Sequence, residues 1–120
     1  MTKIVIISHS NDIANGVKDL LNQMANDVEV IVQGGTEDGI GTSYDDIQQL
    51  INDLDDDALC FYDIGSAEMN LDMAIEMYEG DHQVKKMKAP IVEGSFTAAV
   101  NLSVGKDIEN IEQELNEKFG

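Results

Sequence analysis

A histidine between two serines follows the first apolar run of this 120-residue chain. The run from Lys3 to Ile7 is rich in β-branched residues, it continues into Ser8, His9 and Ser10, and a helical pattern begins directly afterwards. Such a run predicts a strand buried on both faces. Sites in open α/β sheets lie at the carboxyl ends of the strands, and a histidine nitrogen there can serve as a base or a nucleophile. We therefore expect His9 to lie at the functional edge of the sheet.

An aspartate occupies the corresponding place after a later apolar run. Residues 58–62 predict a central strand, and Asp63 follows it directly. If this strand neighbours the first, the carboxylate of Asp63 can accept the Nδ1–H of His9, which leaves Nε2 free to attack phosphorus. The carboxylate would also stabilise the positive ring that forms. From the residues alone, His9 could instead be a polar rim residue and Asp63 a loop or capping residue.

Glycines and hydroxyl groups cluster at the same expected edge. Residues 33–43 contain four glycines and no helical period, which predicts a long loop. Backbone N–H groups of such loops and of helix starts hold phosphoryl oxygens, and hydroxyls add further donors. The chain has no arginine, so a guanidinium cannot hold a phosphate here. The candidate phosphate-binding residues are Ser10, Gly35, Gly39, Thr42 and Ser66.

Composition excludes several classes of partner. The net charge of −17 argues against binding nucleic acid through its phosphates and against an anionic membrane surface. No apolar stretch approaches 20 residues, so no transmembrane helix is expected. The one cysteine, Cys60, is expected to be buried in a strand, and a chain without an internal disulfide suits a reducing cytoplasm. The acidic run at residues 53–57 is interpreted as a solvated turn, and no metal is expected.

Alternating strand and helix patterns predict a single α/β domain over residues 1–120. The predicted strands are residues 4–7, 28–32, 58–62 and 84–87. The predicted helices are residues 11–24, a helix from 43, a helix ending near 78, residues 91–104 and a last helix capped by Asp107. This order predicts an open parallel sheet of about four strands, order 2-1-3-4, with helices on both faces.

Two of the predicted helices carry apolar residues at regular helical spacing. The first helix places five residues at the spacing of one face: Ile13, Val17, Leu20, Leu21 and Met24. The third helix carries a methionine every four residues, at Met69, Met73 and Met77. The methionines could pack in the core, or they could form a soft surface for a partner or a second subunit.

Five motifs in order resemble a known family over nearly the whole chain. They are Ile6-Ile7-Ser8-His9-Ser10, Gly34-Gly35, Gly41-Thr42-Ser43, Asp63-Ile64-Gly65-Ser66-Ala67-Glu68-Met69-Asn70 and Ala89-Pro90-Ile91-Val92-Glu93-Gly94. Together they resemble the DhaM family, the phosphotransfer subunits of bacterial phosphoenolpyruvate-dependent dihydroxyacetone kinases. That family is similar in fold to the mannose-family enzyme IIA domains of the sugar phosphotransferase system (PTS).

The resemblance implies a cytoplasmic homodimer that binds no cofactor of its own. His9 would accept a phosphoryl group on Nε2 from the phosphocarrier protein HPr, and Asp63 would orient the histidine. The acceptor would be ADP, held with Mg²⁺ by the nucleotide-binding kinase subunit, and the ATP formed there would phosphorylate dihydroxyacetone on a third subunit. Mannose-family domains carry an extra carboxy-terminal strand, where this sequence predicts a helix.

Two other functions fit the same residues. A mannose-type IIA component would donate its phosphoryl group to a sugar transporter domain instead of to bound ADP. A non-catalytic regulatory module would use the acidic surface and the methionine stripe to dock a partner, and His9 would then do no chemistry.

Overall fold

Strands and helices alternate along the chain in a computed structural model that describes all residues 1–120. The strands are β1 (Lys3–Ser8), β2 (Val30–Gly34), β3 (Ala58–Tyr62) and β4 (Val84–Lys86). The helices are α1 (Asn11–Met24), α2 (Tyr44–Asn52), α3 (Ser66–Glu76), α4 (Ile91–Ser103) and α5 (Ile108–Phe119). The bounds predicted from the sequence differ from these by at most two residues.

The four strands form one parallel sheet in the order β2-β1-β3-β4, which confirms the predicted topology. In the sheet register, Ser8 lies opposite Gly34 of β2, and Ile7 lies opposite Tyr62 of β3. The three strands therefore end at the same edge. The residues that follow them, His9 and Asp63 among them, must meet there.

Strand β1 connects two hydrophobic cores, one on each face of the sheet. Side chains of a strand alternate between faces. Ile4 and Ile6 pack with α1, α4 and α5, whereas Val5 and Ile7 pack with α2 and α3. All four residues have no solvent exposure. The prediction of helices on both faces is thus confirmed, and β1 is the strand buried on both faces that its sequence indicates.

The methionines of α3 lie on the surface, so the core interpretation is wrong for them. Met69, Met73 and Met77 are 67%, 50% and 60% exposed. The residues of α3 that are buried against the sheet are Ala67, Leu71 and Ala74. Small side chains allow α3 to approach the sheet closely, and this approach turns the methionine stripe outward.

Helix α1 shows a similar difference between its apolar stripe and its buried face. Ile13, Leu20 and Met24 are 49%, 42% and 57% exposed, although they belong to the predicted stripe. The buried residues of α1 are Ala14, Val17 and Leu21. The packing face therefore includes Ala14, which the predicted stripe left out, and excludes Ile13 beside it.

Two glycines permit close approaches that shape the functional edge. A Cβ atom at Gly34 would lie 2.4 Å from the backbone oxygen of Ser10, so only glycine lets β2 end against the turn that carries His9. A Cβ atom at Gly94 would lie 2.5 Å from the Cβ atom of Ala89. The absence of a side chain at Gly94 thus lets α4 begin close to Ala89.

The chain ends in a helix, α5, as its sequence predicts. Asp107 caps α5 by accepting the N–H of Asn110 at 2.9 Å, and Ile111 and Leu115 lie on its buried face.

Cys60 is fully buried in β3, and burial raises the pKa of its thiol to about 12. None of the helices combines the length and the apolarity that crossing a membrane requires.

Candidate functional site

His9 lies immediately beyond β1, where hydrogen bonds from two directions fix its backbone. Its carbonyl oxygen accepts the N–H of Gly41 at 2.8 Å. The next residue, Ser10, caps α1 by accepting the N–H of Ile13 at 3.2 Å. The imidazole remains 20% exposed, so a partner can reach it from solvent while its backbone is held.

The carboxylate of Asp63 contacts the Nδ1 side of the imidazole. The distance from His9 Nδ1 to Asp63 Oδ1 is 2.9 Å, and the Asp63 side chain is 13% exposed. The neighbouring positions of β1 and β3 bring the two residues together. An ionised carboxylate can only accept hydrogen bonds, so a neutral His9 must carry its proton on Nδ1 and leave a lone pair on Nε2.

Four donors converge on the Asp63 carboxylate. Oδ2 accepts the hydroxyl of Ser8 at 2.8 Å and the backbone N–H of His9 at 2.9 Å. Oδ1 accepts the His9 imidazole and the backbone N–H of Ile64, the latter at 2.7 Å. Burial by itself raises the pKa of Asp63, but these four hydrogen bonds outweigh burial and hold that pKa below its ordinary value. The carboxylate therefore stays charged and oriented.

A chain of hydroxyl and amide groups faces the other imidazole nitrogen. Ser66 Oγ lies 2.9 Å from His9 Nε2, and Thr42 Oγ1 lies 2.8 Å from Ser66 Oγ. The side-chain amide of Asn70 donates to Thr42 Oγ1 at 2.9 Å. Ser66 is the first residue of α3, and Thr42 belongs to the loop after β2. Of the five predicted phosphate-binding residues, Ser66 thus contacts Nε2 directly, and Thr42 reaches it through Ser66.

The groups of the other three predicted phosphate-binding residues are engaged within the fold. The N–H of Gly35 donates to the oxygen of Ser8 at 3.2 Å, and the N–H of Gly39 donates to the oxygen of Thr36 at 3.1 Å. The hydroxyl of Ser10 accepts the cap hydrogen bond described above. The structure brings Thr42 and Ser66 to His9 and uses Gly35, Gly39 and Ser10 to shape the turns around it.

The amino-terminal turn of α3 places an acidic side chain close to the site, and a lysine balances its charge. Glu68 lies in this first turn and pairs with Lys86 of β4 at 2.6 Å. Lys86 also pairs with Asp72 at 2.9 Å. The hydrogen bond from Lys86 is the largest cause that lowers the pKa of Glu68. The partial positive charge at the start of α3 is thus not cancelled by an unpaired carboxylate.

Two residues of this arrangement were not among the candidates from the sequence. Ser8 is 1% exposed, and its hydroxyl donates to Asp63 and accepts the N–H of Ser10 at 3.0 Å. A hydroxyl at the end of a buried strand needs hydrogen-bond partners. The position of Ser8 at the end of the first apolar run is therefore the sequence signal for its role. Asn70 follows Ser66 by four residues, a spacing that puts both on one face of a helix.

The acidic turn after α2 lies apart from the residues around His9. Asp56 accepts the amino-terminal amine at 2.8 Å, and Asp57 accepts the N–H of Gln83 at 2.8 Å. Asp56, Asp57 and His82 place one ligand atom each within 4.8 Å of one another. Asp56 and Asp57 thus have partners in the amino-terminal amine and in the backbone.

Comparison with known proteins was made for the chain and for its fold. The model of the EIIA-man family, described as the PTS system fructose IIA component, matches residues 3–112. A relative from Lactococcus lactis is named PTS-dependent dihydroxyacetone kinase, phosphotransferase subunit DhaM. It is 40% identical over 93% of this chain and 91% of its own length. A relative from Listeria innocua, named PEP-dependent dihydroxyacetone kinase 1, phosphoryl donor subunit DhaM, is also 40% identical over 93% of this chain and 90% of its own.

Solved structures share the fold. A crystal structure of EF1359, a protein of unknown function, superposes with a TM-score of 0.83 at 34% identity, covering 97% of this chain and 93% of that one. The PTS component EIIA from Streptococcus agalactiae superposes with a TM-score of 0.74 at 19% identity, covering 98% of this chain and 91% of that one.

Proposed function

This chain belongs to the EIIA-man family of PTS IIA components, and within it resembles DhaM subunits over 93% of its length. We therefore propose that it is the phosphoryl donor subunit of a phosphoenolpyruvate-dependent dihydroxyacetone kinase. The observation that carries the proposal is the pair of contacts on the His9 ring. Asp63 takes Nδ1–H at 2.9 Å, and the open Nε2 lies beside a hydroxyl donor. A nucleophilic histidine requires its Nδ1 proton to be held and its Nε2 to carry no proton, and here only the hydrogen bond from Ser66 must break before Nε2 can react.

Phosphoryl transfer to His9 involves one bond made and one bond broken. The lone pair of Nε2 forms a bond to phosphorus, the bond from phosphorus to the donor nitrogen of HPr breaks, and its electron pair returns to that nitrogen. The His9 ring gains positive charge as it reacts, and the adjacent Asp63 carboxylate stabilises that charge. No proton needs to leave the ring, because Nδ1–H stays hydrogen-bonded to Asp63. Transfer onward to ADP reverses these events at His9.

The residues around Nε2 suit a phosphoryl group that stays briefly. Once phosphorus occupies the Nε2 lone pair, the Ser66 hydroxyl can donate to a phosphoryl oxygen, and the start of α3 adds a favourable partial charge. No arginine is present to hold the group by two parallel hydrogen bonds. Neutral donors bind an anion less strongly than charged ones. The group is thus held well enough to be carried and loosely enough to be released.

The partners follow from this role. We propose HPr as the phosphoryl donor and the ADP-binding kinase subunit, with its Mg²⁺, as the acceptor. This chain would contribute no cofactor, and it would act as a homodimer in the cytoplasm. Donation to a sugar transporter domain is less favoured, because both 40%-identical relatives are named as kinase subunits.

The test is phosphorylation of the intact protein. The wild type, His9→Ala and His82→Ala are each incubated with phosphoenolpyruvate, enzyme I and HPr, and the intact mass is recorded before and after brief acid. We expect one phosphoryl group on the wild type and on His82→Ala, lost in acid because a phosphohistidine N–P bond is acid-labile, and none on His9→Ala. His82 is the matched control because it is the only other histidine and lies in an exposed turn.

Two results would contradict the proposal. One is a label that persists in His9→Ala, and the other is an unlabelled wild type in the presence of HPr shown to be phosphorylated. The latter would favour the regulatory module. The acceptor is tested separately, by mixing the labelled protein with the kinase subunit and ADP and measuring ATP formed.

A further inference from the structure

We infer that Asn70 is a positioning residue for phosphoryl transfer, acting through Thr42 to set the direction of the Ser66 hydroxyl against His9 Nε2. The inference rests on the proposed function and extends it. Nothing in the family resemblance assigns a role to Asn70. Its side chain is half-buried on α3, and its amide contacts Thr42 Oγ1 at 2.9 Å. It reaches the reacting nitrogen only through two other residues.

Counting protons fixes the direction of the whole chain when His9 is neutral. Asp63 requires the ring proton on Nδ1, so Nε2 can only accept, and the Ser66 hydroxyl must donate to it. The one proton of Ser66 is then used, so the 2.8 Å contact between the two hydroxyls needs the proton of Thr42. Thr42 in turn has no proton left for Asn70. It can only accept, and the Asn70 amide nitrogen is the donor at the end of the chain.

This direction gives Asn70 a defined effect on the reaction. Ser66 itself is exposed, and a serine hydroxyl rotates freely unless a neighbour fixes it. Thr42 fixes it by occupying one lone pair of Ser66 Oγ, and Asn70 keeps Thr42 oriented to do so. The Ser66 O–H therefore points at Nε2 before reaction and at the oxygens of a phosphoryl group bound there afterwards. The hydrogen bond from Ser66 to Nε2 breaks as Nε2 attacks phosphorus, and the same proton then turns to a phosphoryl oxygen beside it while Ser66 Oγ stays in place.

Reversing the polarity of Asn70 tests the inference without changing its shape. In Asn70→Asp the new carboxylate can only accept, so Thr42 turns its proton toward residue 70. Ser66 is then drawn toward the vacated lone pair of Thr42 and away from Nε2. We expect the rate of phosphorylation by phospho-HPr in single turnover to fall about tenfold, the size of one well-placed hydrogen bond. Asn116→Asp, at an exposed position of α5, adds the same charge away from the site and should match the wild type.

A double-mutant cycle with Ser66→Ala separates positioning from other effects. Without the Ser66 hydroxyl, Asn70 has nothing to orient, so Asn70→Asp should change the rate by no more than about twofold in that background. Any repulsion between the added charge and the phosphoryl group is present in both backgrounds and cancels in the ratio. Circular dichroism melts confirm that each variant is folded at the assay temperature.

The imidazole nitrogen resonances provide a readout that a structural defect would not imitate. The chain has two histidines, so the ¹⁵N spectrum of its imidazoles is readily assigned. We expect the Nε2 resonance of His9 to move toward the value of a nitrogen without a hydrogen bond in Asn70→Asp, with Nδ1 still protonated and His82 unchanged.

Three results would overturn the inference. They are an unchanged rate in Asn70→Asp, an equal loss with and without the Ser66 hydroxyl, and an unmoved Nε2 resonance. None of these touches the proposed function, which fails instead if His9→Ala still accepts phosphate.

Discussion

Replacing Asp63 with asparagine is the most informative perturbation of the site. It keeps the shape of the side chain but removes both its negative charge and one of its two accepting oxygens. Each carboxylate oxygen accepts two donors, and asparagine turns one of those oxygens into an NH₂ group. If the NH₂ takes the place of Oδ2, the backbone N–H of His9 loses its acceptor. If it takes the place of Oδ1, the backbone N–H of Ile64 does. One backbone donor therefore loses its acceptor in either orientation: the part-buried N–H of His9 or the exposed N–H of Ile64.

The expected magnitudes follow from these contacts. An unpaired buried N–H costs about 1–3 kcal/mol, and neither the N–H of His9 nor that of Ile64 is fully buried, so the free energy of unfolding should fall by about 1 kcal/mol. A hydrogen bond to a charged group contributes about 1.5–3 kcal/mol, and about 1.4 kcal/mol corresponds to a factor of ten. Losing the hydrogen bond from Nδ1 should therefore lower the rate of phosphorylation by about ten- to a hundredfold. Where NH₂ faces Nδ1, the ring moves its proton to Nε2 and loses its nucleophilic lone pair. We expect phosphorylation to slow on the order of a hundredfold.

The assay is single-turnover phosphorylation by phospho-HPr, at a temperature where the melt shows the variant fully folded. Asp19→Asn is the matched control, since Asp19 is exposed on α1 and the change in charge is the same. Nitrogen spectra of the imidazole report which nitrogen of His9 carries the proton. A variant that reacts at the wild-type rate would refute the role given to Asp63. A slow variant whose Nδ1 proton and hydrogen bond are both intact would refute the tautomer argument.

Two further predictions concern the fold that supports the site. Gly34→Ala should destabilise the chain and slow phosphorylation, because its Cβ would lie 2.4 Å from the Ser10 oxygen. Gly16→Ala, in the open middle of α1, should instead raise the free energy of unfolding by about 0.5–1 kcal/mol. Equal melting temperatures for the two variants would contradict this prediction. The second prediction concerns pH. The folded state favours the ionised carboxylate of Asp63, so the pKa of Asp63 is lower in the folded chain than the ordinary value of 3.8. The difference in free energy of unfolding between the wild type and Asp63→Asn should therefore be present in full above pH 3.8 and should shrink as the pH falls through the lower pKa. Urea midpoints of both proteins across that range measure it, and a difference that grows in acid would show the sign to be wrong.

The order of the elements and the pairing of His9 with Asp63 are accessible from sequence because they depend on short-range patterns. Strand runs, glycine loops and helix caps each leave a local signature, and parallel topology then brings the strand ends together. The sequence pattern alone does not say which of two apolar stripes on a helix packs inward. On α3 the stripe of Ala67, Leu71 and Ala74 packs against the sheet, although Met69 and Met73 are as apolar and lie at the same helical spacing.

The hydrogen-bond chain from His9 through Ser66 to Thr42 could not be predicted from local patterns in the sequence. Thr42 and Ser66 are separated by 24 residues along the chain, and their hydroxyls meet at 2.8 Å only because the loop after β2 and the start of α3 converge. Hydroxyl and glycine content identifies the neighbourhood but cannot distinguish donors that face the site from donors engaged within the fold. Gly35 and Gly39 fall in the second group for that reason.

The complete burial of β1 limits how a phosphorylation event can be read by other proteins. Four consecutive residues of this strand have no exposure, and they are packed from both faces up to the residue before Ser8. Amide protons in such a strand exchange with solvent only when the whole domain opens. We therefore expect this strand to keep its position when His9 is loaded. A partner that distinguishes the loaded from the empty state would then recognise the added charge and the directions of the neighbouring hydroxyls at the rim, so the surface that is recognised would include the atoms that react.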